Sequence, residues 1–218
     1  MDTRTKNYLL LGAIGSVLWL FILLASAIQY WMIIVGSYTN PMIYVLSIPV
    51  SIISLVQPIL LGLGFLGFYY KYDHKPSRYV LFLGIAIILI NLLFNVLLGS
   101  LPIEALVYSP IYSFILIATV YASAAIPLLY YVLVLYCLVT LRKGLRRPVV
   151  ASIAILCFLL YIPYIFMYAI FFPLFLPLFY LTSYLIGQAI VMVISVCLAI
   201  LFFIEGRDSP ISTIKQWK

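Results

Sequence analysis

The chain has 218 residues, of which 67% are hydrophobic and only 8% charged, whereas an ordinary soluble domain is about half apolar and about a quarter charged. That balance excludes a water-soluble globular fold, because a chain of this size has too little polar surface to cover so many apolar side chains. The formal net charge of +7 does not point to nucleic acid, because all twelve basic residues fall in four short clusters: Arg4 and Lys6; Lys71, Lys75 and Arg78; Arg142, Lys143, Arg146 and Arg147; and Arg207, Lys215 and Lys218.

In chain order, the first apolar run covers about residues 8–35. Ala25-Ser26-Ala27 resembles a signal-peptide cleavage site, but apolar sequence continues from Ile28 to Val35, so the run is expected to be an uncleaved first span. A polar turn, Ser37 to Pro41, leads into a second span over 42–70, and the basic Lys71–Arg78 loop follows. The third span covers 79–99 and delivers Glu104 to the far side. The segment up to Tyr108 is expected to lie along the interface.

Ser109-Pro110 has the form of an N-cap followed by proline at the first helical position, and starts a fourth span over 110–141. The second basic loop, Arg142–Arg147, precedes a fifth span over 149–172. A sixth span over 174–204 is stopped by Glu205-Gly206, and a short cytoplasmic tail covers 205–218. Prolines 173 and 177 mark the reversal between the last two spans, since 149–204 is too long for one crossing at about 1.5 Å per residue.

The expectation is therefore an all-α, polytopic bundle of about six transmembrane helices forming one domain over 1–218. Because basic residues collect in cytoplasmic loops, both termini and every basic cluster are expected on the cytoplasmic face of a cell membrane, beside anionic lipid headgroups. Gly84-Ile-Ala-Ile in the third span matches Gly187-Gln-Ala-Ile in the sixth, but four residues of this composition agree easily by chance and no repeat is assigned.

Groups that carry chemistry are scarce. No Asp, Glu, Lys or Arg falls inside an expected span, although intramembrane charges are what normally mark ion paths and proton relays. Cys137, Cys157 and Cys197 form no Cys-x-x-Cys pair and lie in apolar runs, where a thiol behaves as a small hydrophobe. The lone histidine, His74, reads as a solvated loop residue, and no metal site or cofactor is expected. Gly62, Gly64 and Gly67 match Gly-x-Gly-x-x-Gly, but that motif cradles a phosphate only between a strand and a helix start. Inside an apolar run, close helix packing is the better reading.

Uncharged polar residues are the remaining candidates for a ligand site. Gln57, Asn91, Asn95 and Gln188 fall at mid-span, with Gly84, Ile88, Asn91 and Asn95 on one helical face. Interhelical hydrogen bonding accounts for them most simply; otherwise they would form a neutral path for a small solute. Tyr161, Tyr164 and Tyr168 repeat along the fifth span and are expected to pack with their hydroxyls bonded to neighbouring helices.

The outer turn Phe171–Tyr180, with Phe171, Phe172, Phe175 and Phe179, has almost no polar atom, and Ser183 and Gly187 begin a small-residue face on the sixth span. These six residues are the expected contacts for a membrane protein partner. The sequence thus points to a non-catalytic membrane subunit or interaction protein. A passive channel for a neutral solute is the alternative.

Overall fold

The computed structural model describes residues 2–34, 41–100, 110–171 and 177–207, which are all-helical apart from turns. Six helices follow one another: α1 Thr3–Ile34, α2 Pro41–Tyr72, α3 Ser77–Ser100, α4 Pro110–Leu141, α5 Pro148–Phe171 and α6 Pro177–Gly206. They coincide with the six apolar runs to within a few residues. The polar turn before Pro41, the Glu104 segment, the centre of the outer turn with Phe172 and Phe175, and the tail beyond Arg207 lie outside the described residues. Among the described residues, Thr3–Gln29, Val45–Tyr72 and Leu185–Gly206 are long and apolar enough to cross a membrane.

Each helix packs on its sequence neighbours, and α1 also packs on α6, so the six close into a ring. The α2–α3 and α4–α5 connections lie at the same end, because Lys71 on α2 and Arg146 in the α4–α5 connection both bind Glu205 at the end of α6. The start of α1 joins them there: a Cβ on Gly206 would lie 3.3 Å from the Cβ of Leu9. Every lysine and arginine among the described residues therefore sits at one end of the ring, which we call the cationic end.

Inside, one contiguous core draws on all six helices. Near the cationic end Phe202 stacks on Phe68, with centroids 5.0 Å apart, and meets Phe65 edge-on at 5.3 Å. Farther in, Trp19 of α1 stacks on Tyr131 of α4 at 5.8 Å, although these helices are not neighbours in the ring. Tyr131 then meets Tyr161, and Tyr161 stacks on Tyr164. Large rings with offset or edge-to-face contacts fill the axis of the bundle.

Small residues let the helix backbones approach, so that dispersion contacts replace those lipid would otherwise make. The three glycines of the Gly-x-Gly-x-x-Gly string serve two neighbours of α2. A Cβ on Gly62 would lie 2.6 Å from Cα of Leu81 on α3, one on Gly64 2.5 Å from Cα of Gly12, and one on Gly67 2.8 Å from the Leu9 side chain. Helix packing, not a phosphate cradle, is their role here.

Ser16 donates to the Gly12 carbonyl at 2.9 Å, and Ser195 on α6 donates to the Ser16 carbonyl at 2.5 Å, both buried. Ser195→Ala is expected to lower stability in detergent by about 0.6 kcal/mol, the mean for an interhelical hydrogen bond in a membrane. Thermal unfolding of the purified variant measures it.

The outer faces are apolar. On α1 Ile14, Val17, Phe21, Leu24 and Ile28 recur at three- and four-residue spacing and are all exposed, as are Leu156, Leu159 and Leu160 on α5. Soluble proteins avoid such contiguous exposure; in hydrocarbon it costs nothing.

Candidate functional site

The most concentrated chemistry in the described structure is at the cationic end. Glu205 is fully buried, and Lys71 beside it is 11% exposed. The carboxylate accepts from three donors, two on α2 and one in the α4–α5 connection. Lys71 Nζ ion-pairs with Oε2, the Tyr72 hydroxyl donates to the same oxygen at 2.5 Å, and the backbone N–H of Arg146 donates to Oε1 at 2.7 Å. Lys71 Nζ also donates to the Glu205 carbonyl at 2.8 Å. The Arg146 guanidinium reaches the carbonyls of Arg207 at 3.0 Å and Ile204 at 3.4 Å.

The local sequence explains the arrangement. Lys71 and Tyr72 are the last two residues of α2, after which Asp73 adopts a left-handed conformation, φ 51°, and ends the helix. Arg146 lies in the short connection between α4 and α5. Glu205 is the penultimate residue of α6, whose last carbonyls have no intrahelical donor, and the cations of the other two elements supply those donors. A buried charge is tolerated only when paired and hydrogen-bonded, and both oxygens of Glu205 are occupied. The site binds the ends of α2 and α6 and the α4–α5 connection together through one shared carboxylate.

Sequence reading took Glu205 only as the stop of the sixth span. The structure carries α6 through it and turns its side chain inward. The signal available was that Glu205 is an acid among cationic clusters, but its partners lie 59 and 134 residues away.

His74 is also corrected, from a solvated loop residue to a half-buried bridge. Its Nδ1 is 2.8 Å from Ser77 Oγ at the start of α3, and its Nε2 is 2.8 Å from Thr140 Oγ1 near the end of α4. Thr140 Oγ1 also lies 2.8 Å from the Tyr136 carbonyl, to which it donates. The threonine hydroxyl is thus the acceptor for a protonated Nε2, and Ser77 is the donor to Nδ1. Burial lowers the imidazole pKa below its ordinary value, which favours this neutral form.

As pH falls below about 6.5 the unfolded chain takes up the proton first. The bridge therefore stabilises fully above that pH, and its contribution is lost as pH falls through the lower folded-state value. The melting temperature of the wild type is expected to drop between pH 7 and pH 5 by more than that of His74→Gln.

The amides of the expected cluster differ in burial. Gln57 is buried in α2, Gln188 is partly buried in α6, and Asn91 is exposed, as are Leu92 and Leu93 after it. Asn95 is placed on α3 by its backbone. Gln188 Oε1 and the Tyr130 hydroxyl are buried with no hydrogen-bond partner among the described residues.

Of the expected partner contacts, Gly187 is buried, and a Cβ there would lie 2.5 Å from the Tyr164 ring, so its face is filled from within the bundle. Phe171 closes α5, and Phe179 and Ser183 lie in the first turns of α6. Cys137 and Cys197 are buried free thiols and Cys157 is half-buried. Among the described residues no group of His, Cys, Asp and Glu could hold a metal ion. Comparison with known proteins finds no matching family, no matching curated protein and no matching solved structure.

Proposed function

We propose that the chain is a six-span protein of the cell membrane, with both termini and its cationic end in the cytoplasm, acting as a non-catalytic interaction subunit of a larger membrane complex. One observation carries the reading. The ionisable and hydroxyl groups that meet at the cationic end, Lys71, Tyr72, Glu205, His74, Ser77 and Thr140, bind one another across helix ends, while apolar side chains face outward from the bundle. Nucleophilic, general-base and metal catalysis each need a group held in reach of substrate, and these groups are spent on the fold.

Extraction of the tagged full chain in mild detergent tests the subunit reading. It is expected to migrate with other membrane proteins at a fixed stoichiometry. Migration only as an isolated monomer would contradict it.

A second reading, passage of a small neutral solute, draws on the Tyr130 hydroxyl and Gln188 Oε1, buried polar atoms that a hydrogen-bonding molecule would satisfy. Proteoliposomes that admit glycerol no faster than protein-free vesicles would rule it out.

A further inference from the structure

The His74 bridge joins the α2–α3 turn to the end of α4 through hydroxyls alone, and the direction of each hydrogen bond in it is fixed. Thr140 has one hydroxyl hydrogen, directed at the Tyr136 carbonyl, so toward His74 it can only accept, from Nε2–H. Nδ1 then accepts from Ser77 Oγ, which is fully buried and is also hydrogen-bonded to the Cys137 thiol. The neutral imidazole with its hydrogen on Nε2 satisfies every member of this chain.

A second proton has no such place. With Nδ1–H as a donor, Ser77 must turn its own hydrogen away, toward a thiol sulfur that is a weak acceptor. The new charge also lacks a counterion. The titratable groups on the elements that meet here are Lys71 and Tyr72 closing α2, Asp73 and Lys75 in the turn, Arg78 and Tyr79 opening α3, and Tyr136, Cys137, Arg142 and Lys143 at the end of α4 and just beyond it. Lys71 and Tyr72 are bound to Glu205, and among the described residues neither Asp73 nor Glu205 pairs with the imidazole. Cations outnumber acids on these elements, so water is the better surrounding for an imidazolium. Asp73 and Lys75, on either side of His74, are both exposed, which brings that water within one residue.

We propose that His74 is a proton-operated latch: protonation releases it from Thr140 and Ser77, and the turn from Asp73 to Pro76 swings off α4 and opens Ser77 and Cys137 to water. Burial lowers the imidazole pKa in the closed state, so the closed state holds fewer protons than the open one. The latch is therefore shut above about pH 6.5 and opens as pH falls through the lower closed-state value. The fold alone is required for this; on the cytoplasmic face proposed above, the signal is acidification of the cytoplasm.

Hydrogen exchange of the full chain in detergent, compared at pH 7 and pH 5 after correction for the intrinsic pH dependence of exchange, tests the latch. The Ser77, Arg78 and Tyr79 amides donate to the His74, Lys75 and Pro76 carbonyls and report the turn. Their exchange is expected to rise by up to about twenty-five-fold, the largest shift that an imidazole of ordinary pKa can drive between those two values, while residues 191–202 in α6 stay protected. His74→Gln cannot take the proton and is expected to lose the step. Thr140→Val keeps the histidine but removes its acceptor, and is expected to raise exchange of the turn already at pH 7; no rise there counts against the bridge. Equal exchange of the turn at the two pH values in the wild type would overturn the proposal. So would a step that persists in His74→Gln, or a rise shared in full by residues 191–202, which marks global unfolding in place of a local opening.

Discussion

Glu205→Leu is expected to cost about 3–5 kcal/mol, the range for breaking a buried ion pair by removing one partner. The loss comes less from the missing attraction than from what remains. The Lys71 ammonium, the Tyr72 hydroxyl and the Arg146 amide stay at the helix ends without the acceptor they share, and each unsatisfied buried group carries its own desolvation cost. Adding Lys71→Leu to Glu205→Leu removes the stranded charge, so the double variant is expected to be more stable than Glu205→Leu alone. Unfolding of the wild type, Glu205→Leu, Lys71→Leu and the double variant in one detergent measures the coupling. Additive losses would show that the carboxylate and the ammonium act independently, contrary to their contact.

The second large effect is expected at the crossing of α1 and α2. A Cβ on Gly12 would lie 2.4 Å from Cα of Gly64 and 3.1 Å from the Phe202 ring, so even Gly12→Ala cannot fit without separating the helices. Overpacking of this kind costs about 1–3 kcal/mol, and Gly12→Leu is expected to exceed Gly12→Ala. Gly144 in the α4–α5 connection supplies the control. Its nearest neighbour would be at 3.5 Å, ordinary contact, and Gly144→Ala is expected to be tolerated. Equal melting temperatures for Gly12→Ala and Gly144→Ala would refute the close crossing.

The helices and the cationic end were legible from sequence for one physical reason: long apolar runs punctuated by basic loops have few other ways to satisfy their backbone. Pro110, following Ser109 and opening a helix, made the start of α4 readable. Which face of each helix points inward was not readable. These helices are apolar on all sides, so no stripe orients them, and Gln57 and Asn91, matched in expected depth, differ in burial. Gly64 was recognisable as a packing residue, but that it faces Gly12 is a property of the crossing. Glu205 and His74 were misread because their partners come from helix ends far along the chain. A local reading of a charged residue after an apolar run sees only a stop signal, where the fold uses the charge as a clamp.

The account depends on hydrocarbon as the solvent of the ring and on the cationic end facing the cytoplasm. Single cysteines at the exposed positions Lys75 and Lys143, introduced after Cys137, Cys157 and Cys197 are replaced by alanine, test both with a membrane-impermeant thiol reagent. In intact cells neither position should react, and after permeabilisation both should. Labelling of either cysteine in intact cells, or of one without the other after permeabilisation, would contradict the arrangement.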